Sequence, residues 1–440
     1  MRSLNFDFNM IVMIYMKKIF VLTIFAFSFG FAAHSQHLEK SQQTIDYKTY
    51  IEMVGKQNLC YASEKLNVSV AEAELKASKV FNDPELSVEY GDNDDKHMQM
   101  GRSVAVELSK TFSIGKRGAN IDLAKSEKAL NEALLEDYFH RLRAEATLAY
   151  LESLKQSELY RVKENSYSNI RRLAEADSMR FKSGKITEVD AVQSKLEADI
   201  AYNDLLQAHT ELCNAHSSLG LWTGVFNKDI IYHPTGSLQT KERTFDTEQL
   251  LQTAVANRAD LAAALKNVDV AAKELKVTQR ERNPDFDIAL GYNYNTEVRN
   301  EIAPAPRFSG VTVGVAVPLK FSNANKGALR AAEFRKQQAE MNYQQAELEV
   351  QTSVMQSLRQ YLSLLEQVKR YETGMLDNAL SILNGKIYSY ERGETSRMEV
   401  LIARQTYDEL RTAYIETVFN SFAALIELER NAGIWDVAVE

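Results

Sequence analysis

Cysteine, proline and long apolar runs are all scarce in this sequence. Only Cys60 and Cys213, and six prolines, occur in 440 residues. Two cysteines make neither a disulfide scaffold nor a CxxC metal centre; outside the cytoplasm they allow a single bridge, and both read as small buried apolar residues. With so little proline, long segments are free to continue as helix. Beyond the N-terminal segment no apolar run reaches spanning length, so the only membrane architecture left open is a barrel of short strands alternating in polarity. Nor is there an excess of basic residues: a formal charge of -8 argues against general nucleic-acid binding. Histidines 34, 37, 97, 140, 209, 216 and 233 form no compact cluster with carboxylates or cysteines, so no metal site or cofactor is expected. Met98 and Met100, near the first outer turn, read as packing or loop residues.

The N-terminus supplies the compartment. MKKIFVLTIFAFSFGFAAHSQ, from Met16, has a basic start, an apolar run from Ile19 to Ala33, and small residues at Ala33 and Ser35. It reads as an export signal cleaved after Ser35, too short to span at roughly 20 residues per crossing. Residues 1–15 read as an overlong start, and no cysteine follows the cleavage point to carry a lipid.

What is present is repetition. VSVAEAELKASKVFNDPELSVEYG, from Val68, is echoed by VDVAAKELKVTQRERNPDFDIALGY, from Val268, with Pro84 opposite Pro284. LSKTFSIGKRGA is echoed by PLKFSNANKGALR, placing Phe112 opposite Phe321 and Gly118 opposite Gly327. FKSGKITEVDAVQSKLEA, from Phe181, is echoed by YERGETSRMEVLIARQTY, placing Gly184 opposite Gly393 and Asp190 opposite Glu399. Three echoes in the same order imply an internal duplication. The expected layout is a signal over 1–35, a first repeat over 36–225, a connector over 226–245, a second repeat over 246–433 and a tail over 434–440.

Each repeat carries two alternating segments, expected as strands at about 85–91 and 102–110, then 285–295 and 310–320. Leu86, Val88 and Tyr90 alternate with Ser87 and Glu89; Phe286, Ile288, Leu290, Tyr292 and Tyr294 alternate with polar or small residues. A half-buried soluble sheet would also alternate, but the export signal and the lack of other material to cover such a sheet favour a membrane barrel. Ala119 to Met179 and Ala328 to Tyr388 lack proline and are rich in helix formers, so each reads as one long helix.

These features resemble the TolC-like outer-membrane efflux channel family over the mature length. The likeness is carried by the duplication, the Pro-led strand pairs, the NRADL segment at Asn257 to Leu261 and both Phe/Tyr-x-x-Gly segments. TFSIGKRGA, from Thr111, is similar to the branch serving cation and heavy-metal pumps of the RND type. The resemblance implies a mixed α+β membrane protein: a homotrimeric, twelve-stranded outer-membrane β-barrel, four strands per chain, continuous with a periplasmic α-helical barrel. It implies partners in the outer-membrane lipid, a periplasmic adaptor and an inner-membrane pump, and a passive conduit for divalent heavy-metal cations, drugs or other small molecules. A type I secretion conduit and a non-conducting periplasmic coiled-coil adaptor are the alternatives.

By the same resemblance, Phe181, Gly184, Lys185, Tyr390, Gly393 and Glu394 form hairpin turns that dock the adaptor. Asp190 and Glu399 line the periplasmic aperture or lumen, with Ile402 where some relatives carry a second acid, and Arg397 is expected to pair with Asp190 or Glu399. Catalysis is not expected. Gly184-Lys185 lacks the earlier glycine and the following Ser or Thr of a phosphate loop, as does Gly115-Lys116, and no nucleophile-base spacing stands out.

Overall fold

The computed structural model describes residues 41–94, 98–225, 230–238, 242–319 and 325–436. The export signal with Ser35, the histidines 34, 37 and 97, Phe321, and parts of the connector and tail lie outside these residues. The chain divides into two compact units, one gathering 1–43 with 227–231 and the other 44–226 with 232–440. The smaller unit's described residues belong to strands β1 (Ser41–Ile45) and β4 (Ile230–Pro234), which pair as a two-stranded sheet. Neither strand was anticipated; each is only five residues long, and β4 lies inside the expected connector.

In the larger unit the two halves run through the same order of elements. Helix α1 (Tyr47–Gln57) is capped by Asp46, which accepts from the Thr49 amide at 3.2 Å. At Asn58, where ψ is 122°, the chain leaves helical geometry and restarts as α2 (Leu59–Ser78). Strands β2 (Glu85–Asp92) and β3 (Arg102–Ser113) follow, then α3 (Lys116–Lys182) and α4 (Glu188–Trp222). In the second half α5 (Thr247–Asn257) is capped by Asp246, breaks at Arg258 with ψ 124°, and restarts as α6 (Ala259–Arg280). Strands β5 (Asp285–Asn295) and β6 (Phe308–Ala316) lead to α7 (Lys326–Arg370), α8 (Leu376–Glu391) and α9 (Arg397–Ala432).

Three expectations need correction here. The second long helix is not continuous: a π-helical turn at Tyr371–Met375 separates α7 from α8, with Thr373 out of helical geometry and Gly374 at φ +119°. Glycine alone adopts that conformation without a Cβ clash, so the break falls where the sequence supplies one. The strand expected to reach residue 320 ends at Ala316, ahead of Pro318, which lacks a ladder N–H and constrains Val317. Cys60 is also exposed rather than buried, and both cysteines are free.

The core of the second half joins Leu250, Val354, Leu358, Tyr361, Leu425 and Leu428, drawn from α5, α7 and α9. In the first half Tyr150 is fully buried against Tyr47 and Tyr50, with ring centroids 5.5 and 5.4 Å away. Its hydroxyl is anchored on the carbonyls of Ile45 and Thr235.

Candidate functional site

The strands β2, β3, β5 and β6 form one antiparallel sheet in the order β2-β3-β5-β6. Because side chains alternate, register decides which residues share a face. One row reads Leu86, Leu108, Leu290, Val313; the next reads Val88, Val106, Tyr292, Val311. The intervening rows are small or acidic: Ser87, Glu107, Gly291, Thr312, and then Glu89, Ala105, Asn293, Gly310. A Cβ at Gly291 would lie 2.5 Å from the Thr312 hydroxyl, so glycine makes room for its polar neighbours. The apolar rows are uncovered: Val88 is 67% exposed, Leu290 54% and Val313 74%. The polar face carries Glu85, Glu89, Glu107, Asp285 and Asp287, whereas the strand cations Arg102 and Lys110 fall in the opposite rows. Asp285 is held by Lys116 at 2.6 Å, and Asp287 accepts from Thr111 at 2.5 Å.

The helical hairpins turn where the repeated glycines stand. Gly184 has φ +70° and Gly393 φ +79°, with open space around the Cβ position of each, so the backbone conformation is what requires glycine. The Gly184 amide donates to Phe181 O at 2.8 Å and Lys185 to Arg180 O at 2.9 Å; Gly393 and Glu394 repeat the pattern on Tyr390 and Ser389. These paired bonds close a helix C-terminus in a Schellman arrangement. Phe181, Lys185 and Glu394 lie exposed on the turns.

Just beyond each turn, a capped helix begins. Thr187 accepts from the Asp190 amide at 3.2 Å, while the Asp190 carboxylate accepts from the Thr187 amide at 3.2 Å, a capping box. Ser396 caps α9 through the Glu399 amide at 3.4 Å. Hydrogen bonds from Thr187 hold the Asp190 carboxyl below its usual range. The Lys386 contact leads in doing the same for Glu399. Glu399 and Lys386 line a groove of about 500 Å³ together with Met375 of the π-turn, Ala379 and Ile382 of α8, and Ile402 of α9.

Arg397 does not form the ion pair anticipated with the carboxylate of Asp190 or Glu399. It lies 3.3 Å from Asp177 and contacts Glu197, touching Asp190 only through its carbonyl oxygen at 3.3 Å. The Glu399 carboxylate is engaged by Lys386 instead. Asp177 has no exposed surface and also accepts from Ser194 and from the Tyr390 hydroxyl, the latter at 2.9 Å. Arg180 stacks on the Tyr390 ring at 4.7 Å. Burial, then the Asp177 contact, pushes the Tyr390 hydroxyl upward. One carboxylate on α3 thus ties α4, α8 and α9 together near both turns. Sequence reasoning missed Asp177, although a signal existed: the offset that puts Phe181 opposite Tyr390 puts Asp177 opposite Lys386, a reversal of charge one turn before each aromatic.

Residues 250–433 match the family described as outer membrane efflux protein. The cobalt-zinc-cadmium resistance protein CzcC of Cupriavidus metallidurans is 24% identical over 382 residues, covering 84% of this chain and 88% of that protein. The chain is thus similar to outer membrane efflux proteins over most of its length. The fold is matched by that of CusC, a structure described in terms of folding and transmembrane channel formation. The TM-score is 0.72 at 18% identity, covering 88% of this chain and 92% of that one. The Campylobacter jejuni CmeC outer membrane channel gives 0.73 at 15% identity, covering 88% and 85%. Among the described residues, no helix is long and apolar enough to cross a membrane, and no group of three or more His, Cys, Asp or Glu residues could hold a metal ion.

Proposed function

We propose that this protein is a passive exit channel in the outer membrane, the last component of a tripartite efflux system that expels divalent heavy-metal cations. The observation carrying this reading is the two-faced sheet: aligned apolar rows exposed on one side, and carboxylates with small residues on the other. Lipid against the first face and water against the second satisfy both. Strands β2 and β6 are left as open edges, which hydrocarbon does not tolerate, and four strands do not close a barrel. Three copies joined edge to edge give twelve strands, closing the barrel without an edge. Export by a cleaved signal, a duplicated architecture and a helical extension into the periplasm complete the reading.

The acidic sheet face favours cations over anions and bulky neutral solutes by raising the local cation concentration. Metal cargo is supported by the likeness to a protein named for cobalt, zinc and cadmium resistance. The turns at Phe181, Gly184, Lys185, Tyr390, Gly393 and Glu394 are proposed to meet a periplasmic adaptor, and through it an RND-type pump that supplies the energy. Asp190 and Glu399 are proposed to line the periplasmic mouth while capping their helices. The test is reconstitution of the purified protein in a planar bilayer, with native mass spectrometry of the detergent complex. A trimer giving stable, cation-selective conductance supports the proposal. A soluble, non-conducting protein recovered from the periplasm overturns it in favour of an adaptor.

A further inference from the structure

The segment joining α4 to α5 carries a feature that conduction leaves unused. His216, near the end of α4, is only 5% exposed and meets His233 of β4 ring to ring, with centroids 4.4 Å apart at 63°. The Nε2 of His233 is shut away from solvent without a hydrogen-bond partner. Two imidazoles this close pack well when both are neutral; a proton on His216 places a positive charge in a poorly solvated contact, beside a His233 Nε2 that has no hydrogen-bond partner among the described residues. We propose that the His216–His233 contact is an acid-labile clasp that holds β4 against α4 at neutral pH and releases it on protonation.

Among the described residues, no opposite charge acts on His216. Among these residues, His233 is the titratable group whose charge acts on His216, and it acts in the same direction as burial. On the clasp's own helix the neighbouring turn carries Cys213, whose carbonyl is occupied by the Ser217 hydroxyl at 2.7 Å. Beside His233 on the strand stands the buried Tyr232. From α3, the Tyr150 hydroxyl donates to Ile45 O at 3.0 Å and Thr235 O at 2.6 Å. From the start of α1, Asp46 reaches Tyr150 with its charge. Burial holds His216 down to about 4 from its ordinary value of 6.5. A depressed histidine is protonated more readily once released, so the clasp is intact above the ordinary range and weakens progressively as pH falls through it.

The experiment is hydrogen–deuterium exchange on the full-length protein in detergent at pH 7.5 and 4.5, with rates referred to those of unstructured peptides at each pH. In the parent protein, protection of β4 should fall at least about tenfold at the lower pH, while that of the α7 core changes little. In His216→Phe, and separately in His216→Gln and His233→Phe, the pH dependence of β4 should shrink to about twofold or less. Core protection at pH 7.5 identifies which variants are folded. The clasp is rejected if parent β4 protection is independent of pH, or if the folded variants lose it as steeply as the parent does.

Discussion

Replacing Asp177 with alanine should loosen the two hairpin ends without unfolding the rest of the protein. Asp177 is fully buried and Arg397 has 13% of its side chain exposed, so the substitution strands a guanidinium that water reaches poorly. Removing one partner of a buried ion pair costs about 3–5 kcal/mol. Here Glu197 stays on Arg397 and removes most of that penalty, leaving about 0–2 kcal/mol, while the Tyr390 and Ser194 hydroxyls each lose an acceptor worth about 1 kcal/mol, giving roughly 2–4 kcal/mol. Local opening at 177–200 and 386–400 should therefore quicken by roughly one and a half to three decades in hydrogen exchange. The comparison is Asp190→Ala, which removes an exposed capping contact on one helix only. Asp177→Asn, which keeps an acceptor for Tyr390 but loses the charge, should fall between the two. If Asp177→Ala exchanges no faster at the second hairpin than Asp190→Ala does, Asp177 is not what ties the hairpins together.

Three other outcomes follow from the same geometry. Leu290→Lys puts a charge on the apolar sheet face and should reduce the outer-membrane fraction, costing about 2–4 kcal/mol at mid-depth, whereas Ala289→Lys on the opposite face should assemble; equal yields would reject the assignment of faces. Gly224→Ala should destabilise by roughly 2–4 kcal/mol in thermal unfolding, because φ is +69° and its Cβ would run into the Gln57 carbonyl. Gly184→Ala, with nothing within 4 Å, should cost only about 1 kcal/mol, so matching losses would refute the distinction. Glu399→Gln should lower the cation-to-anion permeability ratio in bilayers while leaving thermal stability nearly unchanged; an unchanged ratio removes Glu399 from the conducting path.

Local features carry their own instructions, which is why much of the fold was legible before any coordinates. The strand pattern from Phe286 to Tyr294 and the turn glycines 184 and 393 depend on residues a few positions apart. Gly184-Lys185 could be refused as a phosphate loop and placed as a helix stop on composition and repetition alone. The break at Gly374 was harder to foresee, because one glycine in a helical run is ordinarily tolerated, and whether it bends the chain depends on what packs beside it. Tertiary structure alone decided the long-range choices. It gave Arg397 to Asp177 and Glu197 although Asp190 and Glu399 carry the same charge, because burial makes a partner's position matter more than its sign. It also set the sheet register, which gathers alternating residues from strands about 200 positions apart into one apolar and one acidic face, and brought His216 against His233 across the connector. Periodicity determines that each strand has two faces; only pairing determines which residues share them.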